Sequence, residues 1–260
     1  MKISWLGTAS ILVESSETKL LFDPYLKLHS SGLPPFPLDA IADADAIFIT
    51  HPHLDHFADM PAVMERCAAP VYVSSRGREI AREQGFDAER MRTIAAGDVV
   101  RLGGVVLREY KCCHCVYDRP ILRETLSRAL RPSKLREGLS IEAQNRHFSI
   151  DMERDVLGYE ICAEGKRVFL LGSANCREDV AYPTGMDLLI YPYQGRSDMD
   201  TYSLRFLERF RPKRVMLDHF DDAFPPVSAH MDCAPFVHLA QERFPEIGIG
   251  QPVEGVAWEV

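Results

Sequence analysis

Thr50-His51-Pro52-His53-Leu54-Asp55-His56 is the stretch of this chain with the clearest chemical potential, and it directly follows an apolar run at residues 46–49. Three imidazoles and one carboxylate fall within positions 51–56. Neutral imidazole nitrogens and a carboxylate oxygen suit Zn²⁺, Mn²⁺ or Fe²⁺. A divalent cation lowers the pKa of its bound water toward about 7, and a metal-bound hydroxide attacks a carbonyl or phosphoryl centre. These residue types therefore point to metal-assisted hydrolysis. The bland alternative, a polar loop with incidental histidines, does not explain their spacing right after a strand. No Gly-x-Ser-x-Gly elbow, P-loop or dinucleotide fingerprint offers competing chemistry.

A strand end is rigid, and the tight turn after it can aim several side chains at one point. The elements around the motif follow from apolar patterning and turn residues. Short strands are expected at residues 3–6, 10–13 and 19–22, the last closed by Asp23-Pro24, and residues 28–39 form a Pro-rich loop. Alternation then sets in, with strands at 46–49 and 71–74, helices at 58–66 and 76–84, and a hairpin at 99–111 turned at Gly103-Gly104. Residues 118–154 read as a charged, helix-favouring insertion over a site. Beyond it come strands at 157–163, 167–171, 187–191 and 214–217, helices at 200–210 and 235–244, and a last strand near 255–260. Two blocks of strands, each followed by strand–helix alternation, suggest two sheets packed face to face with helices outside. A single domain over residues 1–260, carrying the 118–154 insertion, is expected.

Composition narrows the partners. The 260 residues are 46% hydrophobic and 26% charged, an ordinary globular balance. Thirty basic against 38 acidic residues leave a net charge of −8, which argues against a nucleic-acid partner. Seven cysteines (67, 112, 113, 115, 162, 176 and 233) form no regular framework and read as reduced thiols. The first residues lack a long apolar stretch, and no run of 18 apolar residues occurs, so a soluble, cytoplasmic protein is expected. Its expected partner is a small-molecule substrate rather than a membrane, and assembly into a homo-oligomer is left open.

At the histidine motif the sequence resembles the metallo-β-lactamase superfamily, whose signature is HxHxDH after a strand. The opening, from Trp5-Leu6-Gly7 through two strands to Asp23-Pro24, is similar to the branch containing the phosphorylated-ascorbate lactonase and related metal-dependent hydrolases. The resemblance implies an α/β (α+β) fold, a four-layer αβ/βα sandwich with its metal site along one edge of the two sheets. It implies that His51, His53 and His114 hold a first metal and Asp55, His56 and His219 a second, with Asp55 and His56 as the catalytic pair. One or two divalent ions are implied, zinc first, with manganese or iron as alternatives. A rival reading of His114 is a thiolate site from Cys112, Cys113 and Cys115, but adjacent cysteines cannot all point at one ion.

One departure stands out. Where the family usually carries Gly-Asp-Thr, whose Asp bridges both metals, this chain has Gly172-Ser173-Ala174-Asn175. Asp221, two residues beyond His219, is the candidate replacement ligand. The expected activity is hydrolysis of an ester, lactone or phosphodiester of a small molecule. The alternative is a non-catalytic metal-binding or sensing protein, suggested by Ser173 and the cysteine-flanked His114. A third reading, di-iron redox chemistry, wants a full bridging carboxylate set and a flavin partner domain, and neither is present. His29, His147, His230 and His238 are expected at the surface or in capping roles. Arg196 reads as either an anion contact or a solvated loop residue, and Cys112, Cys113 and Cys115 as oxidation-sensitive thiols.

Overall fold

A computed structural model describes residues 1–26 and 36–260. His29 and most of the expected Pro-rich loop lie outside the described residues. The first sheet takes up β1 (Lys2–Trp5), β2 (Ile11–Glu14), β3 (Lys19–Phe22), β4 (Ala46–Phe48), β5 (Val71–Val73) and β6 (Met91–Thr93). The second is built from β7 (Val99–Leu102), β8 (Val105–Lys111), β9 (Leu157–Ala163), β10 (Lys166–Leu170), β11 (Leu188–Pro192), β12 (Arg214–Asp218) and β13 (Gly248–Gly250). The final strand, β14 (Ala257–Glu259), returns to pair antiparallel with β1. Each sheet thus has seven strands, in the orders β14-β1-β2-β3-β4-β5-β6 and β13-β12-β11-β10-β9-β8-β7. Both are mixed, with an antiparallel half (β14 to β3, β7 to β10) joined to a parallel half (β3 to β6, β10 to β13).

The burial pattern explains the layering. Strands β4 and β5 are buried on both faces and read as continuous apolar runs, as parallel strands covered on two sides must. One face of the first sheet puts Ile3, Val13, Phe22 and Phe48 against Leu107, Tyr159, Ile161 and Val168 of the second. Tyr159 sits across the junction, its ring 5.4 Å from Phe22 and 5.6 Å from Phe48. The other face, with Leu12, Leu21, Ile47 and Val71, is covered by Met60, Val63, Ile80 and Ala81. Those residues come from the helices Met60–Arg66 and Ser75–Glu83. On the far side of the second sheet, Phe206, Phe210 and Phe236 come from the helices Leu204–Phe210 and Ala234–Arg243. The result is helices, sheet, sheet, helices, as expected.

Differences from the sequence reading are local. The helix expected at 58–66 begins within the histidine motif as a short turn, Leu54–Phe57, and resumes at Met60. The one at 200–210 breaks at Ser203 into Met199–Tyr202 and Leu204–Phe210. Strands β6 and β13 add to the expected set; Met91-Arg92-Thr93 and Gly248-Ile249-Gly250 each hold a single apolar aliphatic residue and carry too little pattern to show as strands. Residues 118–154 form two helices, Arg119–Ala129 and Leu135–Asn145, followed by a single turn at Arg146–Phe148. Among the described residues no helix is long and apolar enough to cross a membrane.

Candidate metal centre

The candidate residues gather where strands end. Parallel strands present a crevice beyond their carboxyl ends, and β4, β8, β10 and β12 all run out there. Beyond β4, the chain passes Thr50 and His51 into the short turn Leu54–Phe57, which carries Asp55 and His56. His114 follows β8, Ser173 follows β10, and His219 follows β12. Gly172 allows the second sheet to close on this point. A Cβ there would lie 2.2 Å from Leu157 O and 2.7 Å from Thr50 Cβ, so only glycine fits.

Two groups of potential ligand atoms result, each with all its atoms within 4.8 Å of one another: His51, His53 and His114, and Asp55, His56 and His219. They adjoin, with the rings of His51 and His56 4.0 Å apart. The sequence therefore indicates six residues that the fold brings together from three distant segments. No cysteine enters either group, which removes the thiolate reading of the 112–115 turn among the described residues. Cys112, Cys113 and Cys115 are buried, and burial first of all pushes their thiols up to about 12, 11 and 12. This corrects the expectation of oxidation-sensitive thiols, since the reactive thiolate is disfavoured.

In the first group the imidazoles are uncharged. Burial, followed by the neighbouring histidines, holds His51 well below its ordinary value. Burial and His114 bring His53 down to about 3, and burial brings His114 down to about 4. His51 Nε2 and His53 Nδ1 lie 3.1 Å apart. The far nitrogens are engaged: His51 Nδ1 faces Thr50 Oγ1 at 3.0 Å, and His114 Nδ1 faces the Cys115 carbonyl at 3.0 Å. Such contacts fix a ring's tautomer and direct its other nitrogen inward. Three neutral imidazoles meeting at one point are a donor set suited to a borderline-soft divalent cation.

The second group is charged. Burial alone would raise the Asp55 carboxyl, but His56 and His219 hold it well below the carboxylate range. His219 Nε2 lies 2.7 Å from Asp55 Oδ2. Burial opposes charge on His219, yet the hydrogen bond and charge of Asp55, with Asp221 and Asp218 behind it, raise the imidazole to about 9. His56 is likewise raised against its burial, by Asp23 and Asp55. Its Nδ1 is 2.8 Å from Asp23 Oδ2. Asp23 also accepts hydrogen bonds from Thr50 N (2.7 Å) and Thr50 Oγ1 (2.6 Å). Sequence reasoning saw Asp23 only as a strand terminator; its carboxylate is the brace of the whole motif.

The backbone is strained at the same place. Thr8, Asp23 and His219 adopt left-handed φ values of 48°, 43° and 52°, a conformation that costs a non-glycine residue roughly 1 kcal/mol and persists where surroundings enforce it. For His219 the enforcing contact is its N–H donating to Thr8 O at 2.8 Å.

The remaining sequence candidates fall elsewhere. Ser173 joins neither group; its Oγ accepts from Cys115 N at 3.0 Å, while Asn175 Nδ2 donates to His114 O at 3.0 Å. The Gly-Ser-Ala-Asn stretch therefore clamps the turn that carries His114. Asp221 also joins neither group: its Oδ2 accepts from Thr8 N (3.0 Å) and Thr8 Oγ1 (2.9 Å), and its Oδ1 is buried with no partner among the described residues. Arg196 is held by both Asp198 oxygens and donates to Val116 O, so it is not a free anion contact. His238 is exposed beside Glu242.

Comparison with known proteins agrees with this architecture. Residues 18–114 match the beta-lactamase superfamily domain. A UPF0173 metal-dependent hydrolase of Ruegeria pomeroyi is 30% identical over 186 residues, covering 69% of this chain and 66% of that protein. Across several curated relatives the matched stretch spans between 31% and 66% of their length. Among solved structures, the metallo-beta-lactamase fold protein YhfI of Bacillus subtilis superposes with a TM-score of 0.63 at 15% identity, covering 100% of this chain and 98% of its own. The Zn²⁺-bound PqqB of Methylobacterium extorquens gives 0.64 at 16%, covering both chains completely.

Proposed function

We propose that this chain, which has the metallo-β-lactamase fold and UPF0173 metal-dependent hydrolases among its homologues, is itself a metal-dependent hydrolase. In this reading His51, His53 and His114 hold one divalent cation, and Asp55, His56 and His219 hold a second. The observation that carries it is the pair of adjoining ligand groups, in which Thr50, Asp23 and the Cys115 carbonyl engage the outer nitrogens of His51, His56 and His114. The imidazole-rich donor set favours zinc, with manganese or iron as alternatives, and the Zn²⁺-bound PqqB shares the fold.

A bound divalent cation supplies Lewis acidity and lowers the pKa of water toward about 7. The protein's own contribution is placement and proton handling. Asp55 remains ionised beside His219, so it can serve the second position as an anionic donor or, with that position empty, orient the water and carry its proton. Asp23 holds the His56 ring in one tautomer. Asp221 fastens the turn of His219 to Thr8; we assign it to positioning, and to a cation only if that turn rearranges. The scissile group is an ester, lactone or phosphodiester of a small molecule, and a lactone fits the similarity of the opening segment. The 118–154 insertion roofs the helix of the motif, where Gln144 and Phe148 line a recess of about 280 Å³ with Tyr25, Leu54 and Phe86.

Metal analysis of the purified protein, followed by a panel of lactones, phosphodiesters and thioesters, tests the proposal. Metal content that His51→Ala lowers by the share of the first position, together with turnover of one class, is the expected result. Protein that is metal-free and indifferent to added metal would overturn it, and tight binding without turnover of any class would favour the sensing alternative.

A further inference from the structure

Tyr117, three residues beyond His114, stands edge-on to the His114 ring, with centroids 5.8 Å apart and planes at 61°. Its surroundings fix it. On its other side lies Gly195, where a Cβ would come 3.4 Å from Tyr117 Cε1 and 2.9 Å from Cys115 Sγ. The residue before it is tied down by Arg196 Nη1 donating to Val116 O at 3.0 Å. The residue after it, Asp118, accepts from Ser197 N (2.8 Å) and Ser197 Oγ (2.7 Å) through Oδ2. Arg196 is itself locked by Asp198 and lies 4.5 Å over the Tyr202 ring.

Despite this anchoring, the Tyr117 hydroxyl makes no hydrogen bond to any described residue, and 45% of the residue is exposed. Other tyrosines of the region behave differently. Tyr159 donates to Ile49 O (2.8 Å), Tyr25 to Ala223 O (3.0 Å) and Tyr182 to Lys111 O (2.6 Å). A tyrosine buried for packing normally finds such a partner. Tyr117 is instead packed against His114 and Gly195 and otherwise open to solvent, beside a candidate metal ligand. A phenol keeps its proton at neutral pH, so the hydroxyl is available as a donor.

We propose that the Tyr117 hydroxyl donates a hydrogen bond to an oxyanion of the substrate, a phosphoryl oxygen or the oxygen of a carbonyl under attack, bound beside His114. This rests on the hydrolase reading and adds a catalytic residue to it. A positioned donor aimed where negative charge develops contributes in the transition state and not only in binding.

The test uses zinc-loaded full-length protein with inorganic phosphate as the oxyanion probe. Tyr117→Phe retains the ring against His114 and Gly195 and removes only the donor. It should keep its zinc and its melting temperature, and weaken phosphate binding in calorimetry about fivefold, the effect of one lost hydrogen bond. With a hydrolysed ester from the panel, kcat should fall tenfold or more, with KM changing less. Equal phosphate affinity in the two zinc-loaded proteins, or no phosphate binding by the zinc-loaded wild type, overturns the assignment while leaving the hydrolase reading intact. A wild type that takes up no zinc overturns both.

Discussion

His51, His53 and His114 make an uncharged group, each imidazole driven to its neutral form by burial, whereas Asp55, His56 and His219 retain charge and protons through their ion pairs. Both groups draw on the same stretch, residues 51–56, and lie side by side. Their support differs. The first is steered by neutral contacts, from Thr50 Oγ1 and the Cys115 carbonyl, and its distant member is clamped by Ser173 and Asn175. The second depends on carboxylates: Asp23 behind His56, Asp55 beside His219, Asp221 behind the His219 turn. A neutral ligand set is ready to bind a cation without losing a proton, while a protonated one must first release it. The two positions should therefore answer differently to mutation and to pH.

Removing a ligand should have the largest effect. His51→Ala is expected to empty the first position and lower hydrolysis by about a hundredfold or more, and His219→Ala to leave the first position filled. Metal content per chain, measured beside activity, separates the two; simultaneous loss of all metal in His219→Ala would break the distinction between the groups. Asp23→Asn comes next. It removes the charge that orients His56 and secures Thr50, and the loss of such an outer partner typically weakens metal affinity about 10–100-fold. The loss should fall mainly on the second position, and an equal loss at both would mean that Asp23 acts through Thr50 alone.

The pH response sharpens the contrast without mutation. In the metal-free protein His219 holds a proton up to about 9. Cations at the second position should release at least one proton on binding, and affinity there should fall about tenfold for each pH unit below 9. The first position should show little change between pH 6 and 8, since His53 and His114 stay neutral down to about 3 and 4. Titrations in buffers of different ionisation enthalpy read the proton count directly. Linkage gives a companion effect. Because the folded pKa of His219 is raised, its contribution to the stability of the metal-free protein is complete below about 6.5 and lost as pH rises through about 9. Asp55→Asn should remove that dependence.

What the sequence makes legible follows the same division. Residues 51–56 are contiguous, and an apolar strand ending in a histidine-rich turn is readable from local pattern alone. His114 and His219 could be placed only through the family resemblance, since His219 reaches Asp55 across 164 residues and no local spacing encodes that approach. The braces were missed. Asp23 meets Thr50 from 27 residues away, and Ser173 meets Cys115 from 58. A carboxylate that ends a strand and one that supports an imidazole look alike in a sequence; only the pairing of β3 with β4 brings Asp23 beside Thr50. Ser173, read as a gap in a ligand set, has its own positive role as the clamp of the His114 turn.

The smallest effect is expected at Asp221, where the sequence and the structure suggest different roles. As a replacement ligand it would lower metal content when removed. In the structure its Oδ2 is already committed to Thr8 N and Oγ1, and Thr8 O in turn accepts from His219 N. Asp221 thus holds together two left-handed turns, at Thr8 and His219. Asp221→Ala would leave the Thr8 N–H, a buried donor, without its partner, a loss on the order of 1–3 kcal/mol. The expected outcome is a melting temperature lowered by several degrees, a few-fold weaker cation at the second position and an unchanged first one. Asp221→Asn keeps an acceptor oxygen for Thr8 and should recover most of the stability. If Asp221→Asn instead loses the second cation as completely as His219→Ala, Asp221 is a ligand, its buried Oδ1 faces the cation, and the second position has the fourth protein donor that Ser173 does not supply.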